Sequence, residues 1–356
     1  MTTNVRMGLA ATALMAGLVW FAAEPGAAQQ TAPSATQTSS DVCAPAAGRR
    51  GGGAGAPGAG AAAAGAGAGR VAGAPAGAAA GGAPGAGRAS APARKRVLAW
   101  ADSRNGRAQH EYVSYSLAQL QRLGHISGAY DVIIRTDSDI ISYKPTMTDG
   151  KTPASGGPNL CNVDAIIYAG HRIVPINDGQ KADLVNAIHE RGVGFVTLFI
   201  GMLPNEDFPE LANIIGVKAA SVDVHDPFPV SPIINESPDS PMTKHLPAAW
   251  NLAGGSGYQP DFYSRDEIQV LLRKDLSKLA PVDKYKRADG DYPMAWTKMY
   301  GKGRVFVSSI GNAESVWDDN DLLKMYDEAI KWSLGMTQYP VKPHALPAGV
   351  KGPSIK

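Results

Sequence analysis

Residues 291–311 read DYPMAWTKMYGKGRVFVSSIG and give the clearest indication of how this chain folds. Two runs rich in β-forming residues, 292–300 and 304–310, flank the turn GKG at 301–303, a pattern typical of a β-hairpin. The second run is almost entirely apolar or small, as expected for a strand that helices cover on both faces. We therefore predict an antiparallel hairpin joined to a buried sheet.

Polar residues follow the second hairpin strand directly. Gly311 ends the strand, and Asn312 and Glu314 come next. In open α/β sheets, ligands bind at the carboxyl ends of the strands. We predict that Asn312 and Glu314 form the rim of a binding site, where the Asn312 amide can both donate to and accept from a hydroxyl group.

Apolar runs alternate with helical patterns in the region before the hairpin. Strands are expected at 97–101, 130–135, 163–168 and 193–199, with helices after the first and third of them. A last helix is expected at 320–334. This alternation predicts an α/β domain with a doubly wound, mostly parallel sheet, to which the antiparallel hairpin is added.

Composition divides the chain of 356 residues into four segments. Residues 1–28 have the pattern of a signal peptide: a basic start, an apolar core and a small-residue cleavage site. Residues 29–96 are a low-complexity Ala/Gly/Pro linker that buries too little apolar surface to fold, so we expect a disordered tether. Residues 97–336 form the folded domain, and residues 337–356 form a Pro-rich C-terminal arm. The mature protein is expected to be exported, periplasmic or secreted, without a transmembrane segment.

Charge and motif spacing argue against several classes of ligand. The formal charge is +2; residues 29–96 hold seven Lys or Arg and one Asp, and residues 1–28 sum to zero, so residues 97–356 carry −4. An acidic domain disfavours nucleic-acid binding. The string GAGAGR at 65–70 follows no predicted strand, so no nucleotide cofactor is expected. The seven histidines include no His-x-x-x-His pair, and no metal site is predicted.

The two cysteines leave two alternatives open. Cys43 lies in the linker and Cys161 lies just ahead of a predicted strand. In an oxidising compartment they can form a disulfide, which would close a very long loop. Otherwise one thiol is exposed and the other is partly packed.

Further candidate site residues follow the first and third strands. His110 lies at a loop-to-helix junction, where an imidazole can act as an acid or base near neutral pH. Arg104, in the same loop, can bind a carboxylate, a phosphate or sugar hydroxyls. His171 follows the third strand and is directed toward the same crevice. We predict that His110 is catalytic and that Arg104 and His171 bind substrate.

The order of these motifs resembles the ThuA-like family, named for trehalose utilisation. The hairpin carries the resemblance most specifically, through YPMAW at 292–296 and RVF at 304–306. Weaker matches are the Gly106 to Glu111 loop, GVGFV at 192–196 and DSPMTKHLP at 239–247. The resemblance implies a flavodoxin-like sheet related to class I glutamine amidotransferases, and a carbohydrate or carbohydrate derivative as the ligand. A sugar ring could then stack on Tyr263 or Trp296.

The chain departs from that family at three positions where relatives often carry histidine. Leu198 and Phe199 follow the central strand, Ser240 precedes Pro241, and Asn312 follows Gly311. Amidotransferase chemistry needs a Cys at the strand-to-helix elbow, and the elbow at 197–201 contains neither Cys nor Ser, so covalent acyl transfer is excluded. If the protein is an enzyme, non-covalent acid–base catalysis by His110 is expected. The alternatives are a non-catalytic sugar-binding module and an interaction module of the cell envelope.

Overall fold

The computed structural model describes residues 43, 93–102, 110–170, 174–203, 207–221, 232–254, 257–277 and 289–352. All of them lie in one of the two units into which the chain divides, Ser39–Lys356. The predicted signal peptide lies outside the described residues, as does almost all of the linker. The first strand begins at Lys95, two residues ahead of its predicted start.

Five parallel strands form one half of a nine-stranded sheet. They are β1 (Lys95–Trp100), β2 (Tyr130–Arg135), β3 (Ala165–Tyr168), β4 (Gly194–Thr197) and β11 (Gly303–Ser308). Their order is β2-β1-β3-β4-β11, and every neighbouring pair is parallel. This is the strand order of flavodoxin. The predicted flavodoxin-like, doubly wound sheet is confirmed.

Four antiparallel strands extend the sheet beyond β11. They are β10 (Pro293–Tyr300), β9 (Gln269–Lys274), β6 (Ile233–Asn235) and β7 (Ala249–Trp250), in that spatial order. Strands β10 and β11 form the predicted hairpin, with Tyr300 opposite Gly303. Because β10 and β11 are antiparallel, the C-terminal end of β10 lies where β11 begins.

The described residues include four α-helices: α1 (Tyr112–Ser127), α2 (Asp178–His189), α3 (Glu210–Ile215) and α4 (Asn320–Ser333). Helix α2 begins with a capping box, in which the Asn177 side chain accepts from the Gln180 amide while the Gln180 side chain accepts from the Asn177 amide. A separate antiparallel pair consists of β5 (Ala219–Ser221) and β8 (Gln259–Phe262). Among the described residues, no helix combines the length and apolar character needed to cross a membrane.

The core lies between the sheet and the helices that cover it. Strands β3 and β4 are buried along their whole length, as a strand covered on both faces should be. Helix α4 is amphipathic, and its buried face includes Tyr326, Ile330 and Trp332. Trp296 of β10 is fully buried, and its indole N–H donates to the Ile215 carbonyl oxygen at 2.8 Å. The structure therefore places Trp296 in the core, not on a surface where a sugar could stack.

A buried ion network connects the antiparallel strands to the segment after β8. The Arg265 guanidinium donates to both carboxylate oxygens of Asp291, at 2.8 and 2.6 Å, and to Glu236 at 2.9 Å. Glu236 also accepts from Arg273 at 2.6 Å. All four side chains are less than 10% exposed. The two carboxylates therefore balance the two guanidinium groups inside the fold.

The segment after α4 follows the surface of β9. The Trp332 indole donates to the Tyr339 carbonyl oxygen at 2.8 Å, and the Lys342 amide donates to the Gln269 side chain at 2.8 Å. One ring nitrogen of His344 lies 3.0 Å from the Val270 carbonyl oxygen. The described part of the Pro-rich arm is thus held against the domain by hydrogen bonds.

Of the two alternatives for the cysteines, the structure contains the disulfide, between Cys43 and Cys161. The bond joins residues 118 positions apart in sequence, and both cysteines pack against the core. The disulfide therefore attaches the predicted linker to the domain at Cys43.

Candidate functional site

Polar and aromatic residues follow three of the parallel strands at the edge of the sheet where those strands end. Asp102 follows β1, Phe199 follows β4 and Asn312 follows β11. Because the strands are parallel, these residues share one edge, which we call the carboxyl edge. Ligands of open α/β sheets bind there.

Phe199 occupies the elbow where β4 turns into a short 3-10 helix, Phe199–Met202. Its φ is 41°, the one positive value among the non-glycine residues that the structure describes. This left-handed conformation costs a residue with a Cβ about 1–2 kcal/mol. The predicted strand 193–199 ends two residues early, at Thr197, because the backbone turns into a left-handed conformation at Phe199.

Aromatic packing holds Phe199 in this conformation. Its ring centroid lies 5.4 Å from Tyr112 and 5.1 Å from Tyr258, and its side chain is fully buried. Tyr112 in turn stacks on Trp317 at 6.4 Å, with ring planes 10° apart. The centre of the carboxyl edge is therefore filled by aromatic side chains. The elbow presents a phenyl ring and no nucleophilic atom.

Tyr112 connects the elbow to the start of α1. Its hydroxyl donates to the Leu198 carbonyl oxygen at 3.4 Å. Complete burial raises the pKa of Tyr112 well above its ordinary value, and the charge repulsion expected from Tyr326 acts in the same direction. Tyr112 is therefore neutral at physiological pH and serves as a packing and hydrogen-bonding group.

His110 lies at this edge, just before α1. Its imidazole is half-buried and meets the Phe199 ring edge-on, with 5.6 Å between centroids and 87° between planes. The His110 carbonyl oxygen accepts from the Val113 amide at 3.2 Å, which fixes the backbone at the helix start. The structure thus places the predicted acid–base residue beside the elbow.

Asn312 also lies at the carboxyl edge, and Glu314 begins the short 3-10 helix that follows it. Gly311 has φ 123° and lies so close to Trp317 that a Cβ would be 2.8 Å from the indole. The half-buried Asn312 follows this glycine. Glu314 is exposed. It lies near Tyr115 of α1, whose hydroxyl donates to Asp318; this hydrogen bond raises the pKa of Tyr115, and the negative charge of Glu314 raises it further.

Tyr263 lies in the wall of a different hollow, against the C-terminal end of β10. We call this hollow the β10 cavity; its volume is about 550 Å³. Its lining comprises Ala212, Asn213, Gly216, Lys218, Asp261, Phe262, Tyr263, Ser264, Glu267, Lys298 and Tyr300. Lys298 and Tyr300 are at the end of β10 opposite the carboxyl edge. The structure therefore places Tyr263 in the lining of the β10 cavity, and its hydroxyl donates to the Asp291 carbonyl oxygen at 3.5 Å. Arg104 and His171 lie outside the described residues.

A buried carboxylate, which was not among the residues predicted from the sequence, also lies at the carboxyl edge. Asp102 is 4% exposed and accepts a hydrogen bond from the Ser138 hydroxyl at 2.7 Å. Ser138 accepts from the Trp100 indole at 3.0 Å. The available signal was an acidic residue directly after a buried strand. Asp102 is therefore a further candidate for the site.

No cluster of three or more His, Cys, Asp or Glu side chains able to hold a metal ion occurs within the described residues. The polar groups described at the carboxyl edge are an imidazole, an amide and a carboxylate. This set can exchange protons and form hydrogen bonds with hydroxyl groups.

Comparison with known proteins agrees with the fold. Residues 96–333 match the family model ThuA, described as trehalose utilisation. A ThuA-like protein from Bacteroides uniformis is 17% identical, with a TM-score of 0.53, over 70% of this chain and 95% of that one. A ThuA-like protein from Parabacteroides merdae is 13% identical, with a TM-score of 0.51, over 74% and 96%. No curated protein matches the sequence. The family match spans more than half of the chain, and the protein belongs to the ThuA family.

Proposed function

We propose that this protein is an exported ThuA domain that binds a carbohydrate or carbohydrate derivative at the carboxyl edge and uses His110 as its acid–base group. The observation that carries the proposal is the position of His110, half-buried and edge-on against Phe199 beside the elbow. Asn312 supplies an amide at the same edge. The family description, trehalose utilisation, supports a sugar ligand.

The elbow offers no nucleophile for covalent acyl transfer, so acid–base chemistry is the mechanism proposed. Phe199 occupies the position at which a covalent acyl-transfer enzyme of this architecture needs a nucleophile. An imidazole with a pKa near neutrality can transfer a proton to or from a sugar hydroxyl or a ring substituent. Asn312 can hold a neighbouring hydroxyl by donating and accepting at once. His110 is therefore the catalytic residue of an acid–base mechanism.

A second candidate function is binding without catalysis, and Phe199 favours it. The phenyl ring fills the centre of the edge, so the ligand lies over the rim formed by His110 and Asn312. Under this alternative, both residues contribute hydrogen bonds and no product forms. Turnover measurements separate the two candidates.

Export is supported by two observations. The Cys43–Cys161 disulfide is typical of proteins that fold in oxidising compartments. Residues 1–28 have the charge and apolar pattern of a signal peptide. Cell fractionation should find the chain outside the cytoplasm, shortened at its N-terminus. Recovery of the full-length chain from the cytoplasm would contradict export.

The test of the sugar proposal is a calorimetric titration of the chain with trehalose, glucose and a panel of other saccharides, followed by chromatography for products. His110→Ala should abolish turnover, or weaken binding by about tenfold if no turnover occurs. His125→Ala is the matched control, because His125 is exposed near the other end of α1. Equal binding and turnover in both variants, or no binding by the unmodified chain, would overturn the proposal.

A further inference from the structure

The β10 cavity offers a small molecule a shaped surface away from the carboxyl edge. Its volume of about 550 Å³ falls within the range of roughly 300–1,000 Å³ found for small-molecule sites. Its walls come from α3 and the residues after it, from the end of β8 and the residues after it, and from the end of β10. These elements differ from those that form the carboxyl edge.

A buried lysine lines this cavity. Lys298 is 7% exposed, and its ammonium donates to the Asn213 carbonyl oxygen at 2.7 Å. Within the described part of the chain, no carboxylate oxygen lies within 4.0 Å of this ammonium. Burial lowers the pKa of Lys298, and the more distant charges of Glu267 and Glu210 raise it by less. An ammonium has three N–H donors. Two of them remain for a ligand in the cavity.

Aromatic side chains form another part of the lining. Phe262 is 66% exposed, which is unusual for a phenyl ring on the wall of a cavity. Tyr263 and Tyr300 are half-buried, and the Tyr300 hydroxyl donates to Glu210. The C–H face of a sugar ring is apolar and packs on an aromatic ring, while its hydroxyls remain free for hydrogen bonds.

The charges in the lining balance. Lys218 and Lys298 carry positive charge, and Asp261 and Glu267 carry negative charge. Such a lining offers both donors and acceptors and favours neither an anion nor a cation. A neutral ligand with many hydroxyl groups fits it best.

We propose that the β10 cavity is a binding site for a short, uncharged saccharide, with Phe262 as the stacking surface and Lys298 as a buried hydrogen-bond donor. The saccharide lies on the exposed Phe262 ring and directs hydroxyl oxygens toward the Lys298 ammonium. This site is separate from the carboxyl edge, so failure of either proposal leaves the other standing.

The test uses full-length chain carrying His110→Ala, which removes the acid–base residue of the carboxyl edge. Calorimetric titration with trehalose, maltotetraose and cellotetraose should still detect binding of a neutral saccharide. Adding Phe262→Ala should weaken that binding by about tenfold. Adding Lys298→Met should do the same. Met299→Ala is the control, because Met299 is an exposed neighbour of Lys298 that does not line the cavity.

Phe262 is mostly exposed, so its replacement should leave the thermal unfolding midpoint unchanged, and a loss of binding then cannot be assigned to unfolding. Absence of neutral-saccharide binding in the His110→Ala chain would overturn the proposal. Equal affinity with and without Phe262→Ala would also overturn it. Tighter binding of glucuronate than of every neutral saccharide would show that the ligand class is wrong.

Discussion

Aromatic side chains are buried at the carboxyl edge and partly exposed at the β10 cavity. Phe199, Tyr112 and Trp317 pack on one another and are fully buried. Phe262, in contrast, is two-thirds exposed beside a hollow. The comparison shows that the edge at which parallel sheets usually bind ligands is closed at its centre here. The β10 cavity lies between the end of β10, the separate strand β8 and α3.

The largest effect should come from opening the closed edge. Phe199→Ala removes a buried ring that contacts His110, Tyr112 and Tyr258, so the free energy of unfolding should fall by about 4 kcal/mol. Urea denaturation measures this change. The control is Phe199→Gly, because glycine tolerates φ 41° without the steric cost of a Cβ.

In the middle of a strand or helix, glycine makes a protein less stable than alanine does, by roughly 0.5–1 kcal/mol. At position 199 we expect the Phe199→Gly variant to be as stable as the Phe199→Ala variant, or more stable. A Phe199→Gly variant that is less stable than Phe199→Ala by the usual margin would show that the elbow is not strained.

Disrupting the ion network should have the next largest effect. Arg265→Met leaves the carboxylates of Glu236 and Asp291 buried with less compensation, so the free energy of unfolding should fall by about 3 kcal/mol. Saccharide binding at the β10 cavity should weaken too, because Arg265 fixes the segment that carries Phe262 and Tyr263.

Lys302→Met is the matched control for the network. Lys302 is 70% exposed, and its ammonium lies 3.8 Å from a carboxylate oxygen of Glu190. Loss of such a surface pair should change the free energy of unfolding by less than about 0.5 kcal/mol. Equal losses in the Arg265 and Lys302 variants would contradict a structural role for the buried network.

Reduction of the Cys43–Cys161 disulfide should lower the free energy of unfolding by about 2 kcal/mol, because the bond restricts the unfolded chain. Thermal unfolding with and without a thiol reductant, and of a Cys43→Ser, Cys161→Ser double variant, measures this effect. Cys161 lies neither at the carboxyl edge nor in the β10 cavity lining. Saccharide affinity should therefore stay unchanged, and a parallel loss of affinity would contradict the separation of these regions.

The smallest expected effect is the contribution of Lys298 to the pH dependence of the free energy of unfolding. Its pKa in the folded chain lies below the ordinary value of 10.5, mainly because of burial. Between the folded and unfolded pKa values the unfolded chain binds more protons, so this lysine makes stability rise with pH. Any stability advantage of Lys298→Met over the unmodified chain should therefore shrink as the pH rises toward 10.5. Parallel pH profiles for the two chains would show that Lys298 is not desolvated.

The sheet was predictable from sequence because its signals are local. The hairpin needed only two β-forming runs and a glycine-containing turn, and the parallel strands needed only short apolar runs separated by helical patterns. The capped start of α2 is also a local feature, since Asn177 directly precedes the helix. These features depend on residues that are close together in the sequence.

The features that matter most for function depend on distant residues. Phenylalanine does not favour positive φ, so the turn at Phe199 follows only from its packing against rings of other segments. Arg265 reaches Asp291 and Glu236 across 26 and 29 positions, a pairing that no local pattern indicates. The exposure of Phe262 likewise depends on how α3 and β10 are arranged. Tyr263 was identified as a candidate residue from the sequence, but its place in the lining of the β10 cavity depends on how these elements pack.

Hydrogen exchange of the unmodified chain, with and without a saccharide that binds, tests most directly whether the carboxyl edge is a sugar site. We expect slower amide exchange at 110–113 and 309–313 when the saccharide is present. Protection at 212–218 and 261–264 would report the β10 cavity independently. Protection confined to those cavity segments, or to neither region, would contradict a carbohydrate site at the carboxyl edge.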